Sequence, residues 1–187
     1  MAEPPVVLER HVKSSQRAAD PKSRFVVWVA EGFGVGRFPY APGTVGSFLG
    51  LIWFALLVLT GSLACFFVGL AVGLVASVIL CGVAERITGR KDPESVVLDE
   101  IAALPICFVP WLLMERSRLG QMPEANDFFD ARTIWMSFLL FGLFRILDIW
   151  KPWPIRPSQN LPGGWGVTID DVLAAAFVAV LSWLALQ

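Results

Sequence analysis

From Phe48 to Ala84 the chain runs for 37 residues without a single charge. A membrane-spanning helix needs roughly 20 apolar residues, so this run is too long for one span. Thr60-Gly61-Ser62 offers a turn near its middle, and two coupled helices are expected, about Val45 to Leu59 and Leu63 to Ala84. Further apolar stretches cover Val96 to Met114, Thr133 to Trp150 and Val167 to Gln187. The expected fold class is all-α, a polytopic membrane helix bundle of about five transmembrane helices.

Composition points the same way. Of 187 residues, 56% are hydrophobic and 17% charged, where a soluble domain carries about 25% charge. A net charge of -1 offers no basic face for nucleic acid. Residues 1–24 are polar, mixed in charge and without the apolar core of a cleavable signal. They are expected to form a flexible or surface-lying arm before a single membrane-embedded domain at 25–187. Cys65, Cys81 and Cys107 fall in apolar segments at no metal-ligand spacing, and read as small buried hydrophobes.

Lysine and arginine divide unevenly among the loops of such a bundle. Five spans put twelve of them on one side and three on the other. The positive-inside rule then places the N-terminus in the cytoplasm and the C-terminus outside. In that topology every charge within an apolar segment lies on the cytoplasmic side. Asp99-Glu100 open the third stretch, Arg145 and Asp148 end the fourth, and Asp170-Asp171 begin the fifth. Lys151 follows at the end of the fourth, and the Gly-Pro-rich GFGVGRFPYAPGTVGS precedes the first. Ionisable groups at membrane depth are costly and mark a site facing the bundle interior.

Five carboxylates cannot share a partly dehydrated region, all ionised, without cations. Arg145 and Lys151 leave an excess of negative charge, which a hard divalent ion such as Mg²⁺ would resolve through oxygen ligands, often shared with a phosphate. Arg145 and Lys151 then suit phosphate oxygens, the arginine through its fork. A site at headgroup depth makes a phospholipid headgroup the natural substrate. Neighbours on a helix differ by about 100°, so one member of each pair, Asp99-Glu100 and Asp170-Asp171, is expected to stand behind the other. APGTVGS reads as a turn into a helix with Thr44 as N-cap, an end that can face an anion.

Each feature also has a structural reading. Thr168 to Asp171 has capping-box spacing, and Arg145 with Asp148 fits an intrahelical pair. Lys151 and Trp153 fit interfacial anchors, and Asp99-Glu100 a solvated loop edge. Their joint placement on one side argues against these readings.

Taken together, GFGVGRFPYAPGTVGS, DPESVVLDEIAAL, FRILDIWKPWPIR and GGWGVTIDDVLAA resemble, in order, the motifs of the phosphatidylglycerophosphatase A family of bacterial membrane enzymes. The resemblance covers about Gly32 to Ser182. It implies Mg²⁺-dependent removal of the terminal phosphate of phosphatidylglycerophosphate at the cytoplasmic face of the inner membrane. It also implies catalytic roles for Asp99, Glu100, Asp148, Asp170 and Asp171, with Asp99, Glu100, Asp148 and Asp171 as metal ligands. Arg145, Lys151 and Thr44 are the implied phosphate binders. Some family members carry histidine and glycine where this chain has Pro93 and Glu94, so no role is given to Asp92 and its neighbours. The polar arm lies outside the resemblance.

Other phosphatase chemistries find no footing. The one histidine, His11, sits in the arm, and neither an Asp-x-Asp-x-Thr/Val element nor a Cys-x₅-Arg loop is present. Water attack with an aspartate as base is the simplest mechanism. Two rivals stay open: an ion- or proton-translocating protein or scaffold with the carboxylates as relay, and a phosphatase of another lipid such as phosphatidic acid. Sequence leaves oligomeric state open.

Overall fold

The computed structural model describes residues 20–185. His11, most of the expected arm and the last two positions of the expected fifth span lie outside the described residues. Among the described residues the secondary structure is entirely helical. Helix α1, Pro21–Ala30, has proline in its first turn, so its start forgoes a donor that would be unpaired anyway. It includes the last residues of the expected arm. Gly32, Phe33 and Gly34 then take positive φ in succession, turning the chain sharply into a short 3₁₀ turn at Val35–Arg37.

Three helices are long and apolar enough to cross a membrane: Leu63–Thr88 (α3), Ala131–Trp150 (α6) and Gly164–Ala185 (α8). Helix α2, Pro42–Val58, is apolar but has 17 residues. At 1.5 Å per residue α3 spans about 39 Å and α2 about 26 Å, against roughly 30 Å of hydrocarbon. Ser62 caps α3 by accepting a hydrogen bond from the Cys65 N–H, and Gly89 ends it in a left-handed conformation. The Asp130 carboxylate caps α6 in the same way, accepting from Arg132 N–H at 3.0 Å.

The expected third span is not one α-helix. It consists of α4 (Leu98–Ala103), a 3₁₀ segment at Leu104–Phe108 and α5 (Val109–Leu119). Pro105 and Pro110 stand at the second position of the second and third pieces. Each lacks the N–H that would continue the ladder. This broken rod is the centre of the molecule: Ala103, Leu104, Cys107, Phe108 and Leu112 are buried. Phe54 of α2 stacks on Phe108 at 4.5 Å between centroids, and Leu140, Phe144, Ala174 and Val178 join the same core. A short α7, Ile155–Ser158, links α6 to α8.

The long helices are apolar on the outside as well. Val68, Val72, Val75 and Ile79 form an exposed stripe on α3, and Trp135, Phe138, Leu139 and Ile146 stand exposed on α6. A helix apolar all round, with one face against protein, presents the other to lipid. The polar ends gather: the start of α2, the loop after α3, the start of α4, the end of α6 and the start of α8 surround one cavity.

Candidate active site

The cavity has a volume of about 530 Å³. Its walls carry seven carboxylates, Asp92, Glu94, Asp99, Glu100, Asp148, Asp170 and Asp171, against two cations, Arg145 and Lys151. Every charged residue singled out in the sequence therefore reaches one space. Thr44 does not line it.

Two ion-pair clusters organise the walls. Arg145 Nη1 donates to Asp148 Oδ2 at 2.6 Å and lies 3.1 Å from Glu100 Oε1. Ser47 Oγ lies 2.9 Å from Glu100 Oε2 and 2.8 Å from the Gly43 carbonyl, so it ties the first turn of α2 to the carboxylate on α4. An added Cβ on Gly43 would stand 2.1 Å from Glu100 Oε1. Only glycine lets α2 come this close. Gly46 and Gly50 continue the stripe against Val97 and Leu104.

The second cluster centres on Lys151, which leaves α6 in a left-handed conformation, φ 46°. Its Nζ donates to Asp170 Oδ2 and lies 3.5 Å from Asp148 Oδ1, so Asp148 bridges the two cations. Gln159 Nε2 donates to Asp170 Oδ2 at 3.1 Å. Burial works against the Lys151 ammonium. The hydrogen bond to Asp170 and the charges of Asp170, Asp171 and Asp148 outweigh it and hold the lysine pKa above its ordinary value.

The adjacent acidic pairs split as helix geometry requires. Glu100 and Asp170 are paired with cations, whereas Asp99 and Asp171, both buried, are in no ion pair among the described residues. Asp99 Oδ1 and Asp170 Oδ1 are buried with no hydrogen-bond partner. Buried carboxylate oxygens left bare are costly. The donors are all oxygen and the charge excess is negative, which fits a hard divalent cation. No three of these carboxylates among the described residues stand close enough to form a ready ligand set. Mg²⁺ commonly uses one or two carboxylates together with substrate phosphate and water, so the arrangement fits that ion as a site completed by substrate.

Several expectations change in detail. The cap of helix α2 lies three residues before the expected Thr44: Ala41 caps it at φ 47° and Pro42 opens it, leaving Thr44 inside the first turn with its N–H bonded to Ala41 O at 2.9 Å. The capping-box reading of Thr168 and Asp171 does not hold, because α8 begins at Gly164. Thr168 is buried and its hydroxyl pairs with Ser77 Oγ of α3 at 2.9 Å. The Arg145–Asp148 pair does exist, but inside the cavity. Trp153 is 83% exposed beside Lys151, as an interfacial side chain would be. Sequence reasoning missed Ser47, Glu94 and Gln159. For Ser47 a signal was present, since it falls one turn after Gly43 on the face that Gly50 continues.

The chain matches the phosphatidylglycerophosphatase A family over residues 28–186. It is 34% identical to the phosphatidylglycerophosphatase A of Escherichia coli over 92% of this chain and 90% of the relative. It is 32% identical to that of Haemophilus influenzae, over 82% and 83% respectively. It is also 34% identical to a Bacteroides thetaiotaomicron protein provisionally named a phosphatidylinositol-3-phosphatase, over 84% and 94%. No solved structure matches the chain significantly.

Proposed function

The chain belongs to the phosphatidylglycerophosphatase A family, and from that premise we propose that it hydrolyses phosphatidylglycerophosphate to phosphatidylglycerol and inorganic phosphate. The observation that carries the reading is the meeting of Asp99, Glu100, Arg145, Asp148, Lys151, Asp170 and Asp171 in one cavity. A relay would instead need carboxylates spread through membrane depth. These are gathered where helix ends meet.

Arg145 and Lys151 receive the terminal phosphate, exchanging part of their present pairing with Glu100, Asp148 and Asp170 for phosphate oxygens. Asp148 holds both cations at one spacing. Asp99 and Asp171, buried and without cation partners among the described residues, would hold Mg²⁺, with Glu100 and Asp148 close behind. Bound there, Mg²⁺ supplies electrophilic polarisation of the phosphoryl group. Water attacks phosphorus, and one of the aspartates takes its proton. The bond to the glycerol oxygen breaks, and that oxygen regains a proton as phosphatidylglycerol departs. The placement proposed is the bacterial inner membrane, with this cavity on the cytoplasmic face.

Phosphate release from phosphatidylglycerophosphate in detergent micelles, where no gradient exists, tests this reading. Phosphatidic acid and phosphatidylinositol 3-phosphate serve as competing substrates. Release that depends on Mg²⁺, stops with EDTA and is lost in Asp148→Asn is expected. A folded protein releasing nothing from any of the three lipids would sink the reading and favour the relay.

A further inference from the structure

A second cavity of about 560 Å³ lies against the first, sharing Pro42, Asp92, Pro93 and Glu94 with it. Its basic side chains are Arg37, Arg90 and Lys91. The two cations of the catalytic cavity are held by carboxylates. Arg90 and Lys91 are in no ion pair among the described residues. Arg37 meets Glu31 through Nε at 2.6 Å, so its orientation is held from below while its terminal nitrogens make no hydrogen bond among the described residues.

The loops that carry these residues are built rather than loose. Gly36 packs so tightly on Ser95 that an added Cβ would stand 1.9 Å from the Ser95 carbonyl oxygen. The Val97 N–H donates to Ala30 O at 3.0 Å, and the Asp92 N–H donates to Glu85 Oε1 at 2.8 Å. Asp92 itself is held at φ 46°, a costly conformation outside glycine. These contacts fix the backbone that carries the exposed Arg90, Lys91 and Arg37 on one wall beside the catalytic space.

We propose that this basic cavity is a subsite for a phosphodiester, and that Arg37, Arg90 and Lys91 select lipids carrying two phosphate groups. The inference rests on the phosphatase reading above. Phosphatidylglycerophosphate has a terminal monoester and, one glycerol away, the diester that joins headgroup to diacylglycerol. Two adjoining cavities with separate cations match two adjoining anions. The catalytic cavity takes the monoester, the second takes the diester, and the shared wall at 92–94 faces the glycerol. Phosphatidic acid has one phosphate and leaves the second cavity empty. An inositol lipid with a terminal monoester fills both.

The test uses Arg90→Gln with Lys91→Gln in the full chain, in neutral detergent micelles with Mg²⁺. Two inhibitors separate the cavities: phosphatidylglycerol carries only the diester, and inorganic phosphate resembles only the terminal group. Loss of charge-assisted hydrogen bonds should raise KM for phosphatidylglycerophosphate and the inhibition constant of phosphatidylglycerol about tenfold each. The inhibition constant of inorganic phosphate should stay within about twofold, and KM should rise by more than kcat falls. Equal weakening of both inhibitors, or of neither, overturns the subsite while the phosphatase reading stands. No phosphate release by the unsubstituted protein overturns both.

Discussion

An alanine at position 43 would bring its Cβ to 2.1 Å from Glu100 Oε1 and 3.0 Å from Arg145 Nη2. Both atoms belong to the ion-pair cluster that positions Arg145, so the substitution moves the arginine rather than removing it. Misplacement by about 1 Å can cost a hundredfold in rate. Gly43→Ala is therefore expected to lower kcat/KM by about that factor. Gly142→Ala on α6, where nothing lies within 4 Å of the added atom, serves as the control and should keep its activity. The split of the acidic pairs gives a second prediction. Asp99→Asn and Asp171→Asn should each raise the Mg²⁺ concentration for half-activation by about tenfold or more, and Ser47→Ala should not, as a Mg²⁺ titration of initial rates would show. Arg145, Asp148, Asp170 and Asp171 were legible from sequence because a charge in an apolar run stands out against its background. Ser47 was missed, since a serine in a helix is cheap and common, and its spacing from Gly43 gains weight only beside its partner on α4. Thr44 was misassigned for a related reason: Ala41 adopts a left-handed conformation that alanine rarely takes, so no local rule pointed to it as the cap.

Helix α8 owes its position to a backbone contact. Gly164 packs on α3 where an added Cβ would stand 1.8 Å from Val78 O, and Gly82 faces it from α3 at a similarly close approach. Small residues at such crossings let helix backbones meet inside a membrane. The Ser77–Thr168 hydrogen bond locks the same crossing one turn further along. Gly164→Ala must push the start of α8 outward, carrying Asp170 and Asp171 with it. The expected result is a destabilisation of about 1–3 kcal/mol, read as a lower melting temperature in detergent, together with a loss of activity larger than the stability change explains. Ser77→Ala should cost less, about 0.6 kcal/mol on the scale of hydrogen bonds within membranes. At this scale the long helices were legible to within about one turn, because long apolar runs leave few alternatives. The broken rod at 98–119 was not. Its apolar content reads as a span, and its two prolines break the hydrogen-bond ladder while burial among α2, α6 and α8 lets the pieces remain helical.

For the whole molecule, the number of crossings depends on how α2 and the broken rod sit in the bilayer, whereas the sidedness of the cavity depends mainly on α3. Thr60 and Arg90 flank that helix at opposite ends, about 39 Å apart along its axis. Arg90 lines the basic cavity beside the first one, so its side is the side of the proposed chemistry. The excess of lysine and arginine around it predicts the cytoplasm. Cysteine labelling can check this, because Cys81 and Cys107 are fully buried and only Cys65 is exposed. In a Cys65→Ser background, Arg90→Cys should react with a membrane-impermeant maleimide in inverted vesicles and not in right-side-out ones. Thr60→Cys should show the reverse. Reversed labelling would put the cavity outside the cell, and labelling of both positions from one side would mean that α3 does not cross. Either result would change which leaflet supplies the substrate. The expected pattern, by contrast, places phosphate release in the compartment where the bundle's basic loops already lie.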